Sequence, residues 1–175
     1  MLQRLFRPRP ARETGKALYQ SAVAQARSPE LYARLGVPDT VEGRFEAYSL
    51  HVILLIDRLH QQGREAAEVS QALFDAFTKS LDDALREMGV GDLSVGKKMR
   101  KLGEAFYGRV KAYHAALEKL PDAEELEALI GRTLYAEGDA ANAPAMAGYA
   151  AAQRQALAAQ PLEALLKAQV QWGPV

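Results

Sequence analysis

The segment that most resembles a site for chemistry spans residues 91–98 and reads GDLSVGKK. It matches the first seven positions of the phosphate-binding loop G-x-x-x-x-G-K-[ST], in which backbone amides and the lysine hold nucleotide phosphates. The eighth position must offer a hydroxyl to Mg²⁺, but here it is Lys98. The segment also follows a predicted helix, whereas a phosphate loop follows a strand that aims its amides. We therefore expect no nucleotide binding.

The histidines are spaced poorly for a metal site. His51 and His60 are nine residues apart, which places them on opposite faces of one helix at ~100° per residue. His114 belongs to a different predicted helix, and no H-x-x-x-H or H-E-x-x-H pair is present. We predict no metal site. Because His51 stands beside the most apolar run of the sequence, we expect it to be a buried or half-buried structural residue with one hydrogen-bond partner.

Three neighbouring acids, Asp82, Asp83 and Glu87, could be interpreted as paired catalytic carboxylates. Asp82 and Asp83 both lie within one helical turn of Arg86, so we expect ion pairs on a helix surface instead. No serine, histidine and carboxylate have the spacing of a nucleophilic site. The sequence therefore predicts no enzymatic activity.

The composition narrows the class of protein further. The length of 175 residues suits one domain with a sizeable core. Lysine plus arginine equals aspartate plus glutamate at 22 each, so no net charge draws the chain to DNA. Cysteine is absent, which excludes disulfides and thiol chemistry and fits a cytoplasmic protein.

The longest apolar run, residues 52–56, is far shorter than the ~18 residues of a membrane span. We expect residues 1–12 to be a basic, flexible N-terminus, and they lack the features of a secretory signal.

Helical periodicity of apolar residues extends along nearly the whole sequence. We predict an all-α fold, an irregular bundle of about seven helices, whose first helix starts near Thr14 as its N-cap. A helix at about residues 40–62 should be buried at the centre, because its middle is apolar on nearly every side and its apolar stripe starts at Val41. The predicted organisation is a helical domain at residues 13–136, a loop at 137–144, and C-terminal helices at 145–175 packed on the same domain.

A helical hairpin around a glycine-bearing turn at residues 88–92 is the most unusual element. Gly96 and Gly103 lie seven residues apart on its second helix, so they share one line about 80° from the core-facing stripe. They would form a smooth furrow beside Arg100 and Tyr107. Either a neighbouring helix of the same domain packs in this furrow or the furrow is a groove for a partner, and the sequence leaves both open.

The same hairpin carries a family resemblance. LREMGVGDLSVGKKMRKLGEAFYGR, residues 85–109, resembles the signature of the ubiquinol–cytochrome c chaperone family. Residues 44–59 (RFEAYSLHVILLIDRL) resemble a second segment that recurs in the family. Residues 74–89 (FDAFTKSLDDALREMG) are also similar to sequences of this family. The resemblance covers about residues 30–120. We interpret the chain as a bacterial member that acts in the cytoplasm, at the inner membrane face.

Mitochondrial members of this family take up newly made cytochrome b during assembly of the cytochrome bc1 complex, together with a small partner protein and the ribosome. The resemblance therefore implies an all-α fold, no catalysis, no cofactor, and cytochrome b as the client. It leaves open whether a ribosome, a small partner protein or the membrane surface is also contacted here. We place the candidate client site at the hairpin, on the following residues: Met88, Gly89, Val90, Gly91, Asp92, Lys97, Met99, Arg100, Gly103, Phe106 and Tyr107.

Two other classes of function remain open. A generic helical scaffold for some other protein would share the composition, though not the match at residues 85–109. A ribosome- or RNA-associated module would use the basic residues of 97–111, although Phe106 and Tyr107 are the aromatic residues near them.

Overall fold

The computed structural model describes residues 10–175, with the side chain of Leu93 excepted. These residues form a helical bundle without a strand, which confirms the predicted all-α fold. A short 3₁₀ turn, Ala140–Asn142, precedes the seventh helix. The eight α-helices of residues 10–175 are α1 (Pro10–Ala26), α2 (Pro29–Ala33), α3 (Val41–Leu59), α4 (Arg64–Glu87), α5 (Asp92–Glu118), α6 (Glu124–Thr133), α7 (Ala143–Ala158) and α8 (Leu162–Leu166).

The first helix begins earlier than predicted. α1 starts at Pro10, which suits a first helical position because proline has no amide hydrogen to satisfy there. The prediction of Thr14 as N-cap was wrong, since its Oγ1 donates instead to the backbone oxygen of Leu166 at 3.1 Å. Residues 10–12 of the predicted N-terminal segment are therefore helical, and residues 1–9 lie outside the described residues.

α3 is the central helix, as its composition predicts. It begins after Thr40, whose side chain accepts a hydrogen bond from the amide of Gly43 at 3.0 Å and so caps the helix. Residues 50–55 are all buried, and α3 packs against α1, α4, α5 and α7. Val41 is the exception: it is 64% exposed and does not belong to the buried stripe.

α1 packs closely along α4, and one glycine permits the approach. A Cβ at Gly15 would lie 2.5 Å from the backbone of Ala72 and Leu73, so a larger residue would force the two helices apart. α4 then ends at the predicted turn, where Gly89 has a φ of +79°. This left-handed conformation closes the helix and favours glycine. α5 begins two residues earlier than Ser94, at Asp92.

The C-terminal part of the chain closes one side of the bundle. α7 packs against α3 and α6, and α8 contacts α1 and α4. The final residues, 169–175, have no regular secondary structure. Among them, Trp172 packs edge-on against His51 with ring centroids 5.2 Å apart, and its Nε1 donates to Ser21 Oγ at 3.0 Å. Within residues 10–175, no helix is both long and apolar enough to cross a membrane.

Candidate functional site

The furrow predicted on α5 is open. A Cβ built at Gly96 or Gly103 meets nothing within 4 Å in the described part of the chain. Of the two alternatives that the sequence left open, packing of a neighbouring helix in the furrow is therefore excluded for residues 10–175. The helix tolerates these glycines although each costs about 1 kcal/mol relative to alanine, which leaves a strip of bare backbone on the surface.

Two large apolar side chains stand at the ends of this strip. Met88, in the turn, is 58% exposed, and Tyr107, on α5, is 56% exposed. Large apolar side chains so exposed on a surface otherwise rich in polar groups commonly mark a place where another molecule binds. Both residues belong to the site predicted from the sequence.

α4 supplies a second wall that the sequence reasoning missed. The ring of Phe74 lies 5.3 Å from the ring of Tyr107, centroid to centroid. At ~100° per residue, Phe74, Leu81, Leu85 and Met88 fall on one line of α4, and the first three are partly buried. The spacing of seven residues from Phe74 to Leu81 and of four from Leu81 to Leu85 is visible in the sequence. The sequence does not show that this line of residues faces the edge of the core.

The end of the hairpin has apolar residues of its own. Phe74 and Leu81 pack against the main core, whereas Leu85, Met99 and Leu102 are partly buried without belonging to the described core or its packed border. The apolar surface beside the furrow therefore continues towards the turn. Burial of these groups by a partner would be favourable, at roughly 25 cal/mol for each Å² removed from water.

Phe106 lies beneath the furrow and does not line it. It is 1% exposed and packs against Phe77 and Phe74, with ring centroids 4.7 and 5.6 Å away. Its place in the predicted client site is thus corrected: Phe106 belongs to the core and supports the turn of α5 that carries Tyr107. Met99 is half-buried, so it remains reachable from the furrow.

Charged side chains border the same region. Lys97 is exposed, and the Nε of Arg100 lies 3.9 Å from Glu104 Oε1, too far for a strong pair. Asp92, a predicted site residue, pairs with Arg86. The edge of the furrow is therefore mainly cationic.

The acids of α4 form surface ion pairs. Asp82 pairs with Arg86 at 2.7 Å, as predicted. Asp83 pairs with Lys79 at 2.9 Å rather than with Arg86. Asp83 does not pair with Arg86 because the Arg86 guanidinium already pairs with Asp82 and with Asp92. Asp83 therefore pairs with Lys79, one turn earlier on the helix.

Both ring nitrogens of His51 form hydrogen bonds within the fold, as expected for a structural residue. Its Nδ1 donates to the backbone oxygen of Ala47, and its Nε2 accepts from the Tyr149 hydroxyl, each at 2.8 Å. Burial lowers the pKa of His51 to about 4, so it is neutral at pH 7. It has two partners where we expected one. The ring of His60 lies 4.9 Å from that of His114, and the described residues contain no group of three or more metal-ligating side chains.

The fold and the hairpin define a family. The model of the ubiquinol-cytochrome c chaperone family matches residues 33–172, so this chain belongs to that family. The match extends well beyond the residues at about 30–120 that carry the resemblance in the sequence. α6, α7 and the C-terminal segment are thus part of the family domain.

Individual relatives agree with this assignment. The chain is similar to the solved structure of the Cbp3 homolog from Brucella abortus, with a TM-score of 0.86 and 34% identity over 99% of this chain and 97% of the other. It is 26% identical to ubiquinol-cytochrome c reductase complex assembly factor 1 of Mus musculus over 90% of this chain and 54% of the relative. The protein of that name in Homo sapiens is 26% identical over 67% of this chain and 39% of the relative. This chain thus spans about half the length of the curated relatives that it matches.

Proposed function

We propose that this chain is a non-enzymatic assembly chaperone that binds newly made cytochrome b and assists assembly of the cytochrome bc1 complex. Two kinds of evidence support the proposal. The chain belongs to a family described as ubiquinol-cytochrome c chaperones, and its curated relatives are named assembly factors of the ubiquinol-cytochrome c reductase complex. The observation that carries the proposal is the open furrow of α5, bordered by the exposed Met88 and Tyr107.

The furrow suits a client of this kind for physical reasons. A newly made membrane protein has apolar helices that are unstable in water until they are covered or inserted. Glycines let such a helix approach the backbone of α5 closely, as small residues do between packed helices. Methionine is flexible and polarizable, so Met88 and Met99 can adapt to irregular apolar surfaces. The cations at the edge, Lys97 and Arg100, would face acidic groups in the loops that flank the client helices.

The test is a pair of glycine substitutions at open helical positions. Gly103→Leu fills the furrow, whereas Gly148→Leu places the same side chain on α7, where a Cβ also meets nothing within 4 Å of the described residues. Both changes should be tolerated, since each replaces glycine in a helix with a strong helix former. Thermal melting of the two variants verifies that they fold equally well.

The readout is capture of cytochrome b by the tagged full-length chain from a detergent extract of membranes, detected with an antibody. We expect the wild-type protein and Gly148→Leu to capture cytochrome b. Gly103→Leu should capture at least about tenfold less, which corresponds to a loss of about 1.4 kcal/mol in binding free energy. Equal capture by both folded variants would remove the furrow from the site. Failure of the wild-type protein to enrich cytochrome b would overturn the proposed client.

A further inference from the structure

Two histidines from different helices lie side by side where α3 ends. His60 directly follows the last residue of α3, and His114 lies in the last two turns of α5. Their ring centroids are 4.9 Å apart, and the ring planes are tilted by 58°. The spacing argument that predicted no metal site compared positions along one helix. It could not detect this pair, because the packing of α3 against α5 creates it.

Asp57 fixes the orientation of the His114 ring. The Asp57 side chain is 7% exposed, and its Oδ1 accepts a hydrogen bond from His114 Nδ1 at 2.8 Å. The other carboxylate oxygen, Oδ2, accepts from Arg154 Nε at 2.9 Å, so a residue of α7 holds the carboxylate in place. With its proton on Nδ1, a neutral His114 has a free lone pair on Nε2. Metal-binding histidines are commonly oriented by a carboxylate in this way.

The separation of the two rings suits two ligands of one metal ion. A histidine nitrogen binds Zn²⁺ at about 2.0–2.1 Å, which places the ring centroid about 3.2 Å from the ion. For angles of about 90–109° at the metal, two such centroids are about 4.5–5.2 Å apart. The observed 4.9 Å lies within this range. His60 is exposed and the His114 side chain is 42% exposed, so an ion can reach both rings from solvent.

The charges around the pair are compatible with a bound cation. Arg154 pairs with Asp57 and also with Glu118, at 2.9 and 2.6 Å, so two carboxylates offset its positive charge. Arg58 donates instead to two backbone oxygens at the end of α7 and just after it. Neutral imidazole nitrogens suit Zn²⁺, Cu²⁺ and Ni²⁺, whereas Mg²⁺ and Ca²⁺ take oxygen ligands. The donor atoms therefore point to a transition metal.

We propose that His60 and His114 bind a divalent transition-metal ion of the Zn²⁺ class, with Asp57 orienting His114 and water supplying the other ligands. Two protein ligands are fewer than the four of a structural zinc site, so we expect reversible binding. The ion would connect the end of α3 to α5. This place is separate from the furrow, because Gly103 lies eleven residues before His114, about 16 Å along the helix. The proposed function does not depend on this site.

The experiment is calorimetric titration of the untagged full-length chain with ZnCl₂, because a histidine tag would itself bind the ion. We expect saturable binding of one Zn²⁺ per chain and no binding of Mg²⁺. His60→Ala and His114→Ala should each abolish saturable binding, since one histidine would remain as the only protein ligand. Asp57→Asn should weaken binding by about tenfold, as changes behind a metal ligand commonly do.

The third histidine of the chain provides the matched control. Both ring nitrogens of His51 are used within the fold, so His51→Ala should bind Zn²⁺ like the wild-type protein at a temperature where it is folded. Circular dichroism without metal verifies the folding of every variant. His60→Ala is the decisive variant, because its exposed side chain can be removed with little effect on the fold.

Two further measurements distinguish metal binding from a simple contact between the rings. Zn²⁺ should raise the melting temperature of the wild-type protein but not that of His60→Ala, because an ion that binds only the folded state stabilises it. With Cu²⁺ as the probe, electron paramagnetic resonance should show coupling to two imidazole nitrogens in wild type and to one in His60→Ala.

The absence of saturable Zn²⁺ binding by the wild-type chain would overturn the proposal. Unchanged binding in folded His60→Ala would do the same, since the ion would then be held elsewhere. Unchanged affinity in Asp57→Asn would remove Asp57 from the site. Capture of cytochrome b tests the proposed function separately: His60→Ala should capture this client like the wild-type protein, and Gly103→Leu should bind Zn²⁺ normally.

Discussion

Arg109 of α5 and Glu46 of α3 form a two-point ion pair inside the bundle. Arg109 Nε donates to Glu46 Oε2 at 2.7 Å, and a second guanidinium nitrogen donates to Oε1. The two side chains are 23% and 9% exposed. Burial raises the pKa of Glu46 above its ordinary value, although Arg109 opposes this shift. The pair fixes the helix that carries the furrow to the central helix of the domain.

Glu46→Ala should destabilise the protein by about 3 kcal/mol, because Arg109 would remain charged and largely enclosed without its partner. This value is at the low end of the costs measured when one partner of a buried ion pair is removed. Urea denaturation followed by far-ultraviolet circular dichroism measures the loss. Asp39→Ala is the matched control, since its pair with Arg44 is exposed on both sides and should contribute little. Equal effects of the two variants would show that the Glu46–Arg109 pair does not hold α5.

His51 should make stability depend on pH. Between its ordinary pKa of 6.5 and its folded value of about 4, the unfolded chain binds a proton that the folded protein does not. The free energy of unfolding therefore falls as pH decreases through this window, by up to about 3 kcal/mol. His51→Ala should cost about 1–3 kcal/mol at pH 7, because Tyr149 and Ala47 lose their partner.

The measurement is urea denaturation at several pH values from 7 to 4 for wild type and His51→Ala. The variant should show a shallower loss of stability over that range. His60→Ala serves as control because the His60 side chain is exposed. Parallel pH curves for wild type and His51→Ala would contradict the structural role of this histidine. A stable His51→Ala variant that no longer captures the client would move His51 into the binding site.

Gln153 should hold the C-terminal segment in place. Its side chain is fully buried: Oε1 accepts from the amide of Gly173 at 2.8 Å, and Nε2 donates to the backbone oxygens of Gly173 and Pro174. Gln153→Ala removes these bonds and should cost about 2 kcal/mol. Trp172 is the single tryptophan, so its fluorescence reports the release of this segment.

We expect the emission of Trp172 to shift to longer wavelength and acrylamide quenching to increase in Gln153→Ala. Gln155→Ala, an exposed position on the same helix, should leave both unchanged. An unaltered spectrum in Gln153→Ala would mean that the contacts of Trp172 with His51 and Ser21 suffice to hold the segment.

The segment GDLSVGKK should not bind nucleotide. Residues 92–98 lie in the first turns of α5, and no strand precedes them among the described residues. ATP or GTP with Mg²⁺ should leave the melting temperature unchanged, and Lys97→Ala should leave thermal stability nearly unchanged because the side chain is exposed. A rise of several degrees with nucleotide would contradict this expectation.

The all-α class, the order of the helices and the central position of α3 could be predicted from the sequence. All three depend on the spacing of apolar residues along the chain. Val52 to Leu55 are apolar on all sides of one helix, so that helix has to be buried. The line of Gly96 and Gly103 follows from helical geometry alone. The start of α1 was harder to predict. Threonine is a residue type that caps helices, but the Thr14 hydroxyl donates instead to the backbone oxygen of Leu166, 152 residues away.

By itself, the sequence determined an all-α chain, a glycine-bearing hairpin with a cationic second helix, and a specific family signature at residues 85–109. Only the tertiary structure decided that the furrow is open, that Phe74 forms its other wall, that Phe106 is enclosed, and that Trp172 packs on His51. The physical reason is that periodicity fixes which residues share a face of a helix. What covers that face depends on contacts between distant residues, such as Glu46 with Arg109 or Ser21 with Trp172.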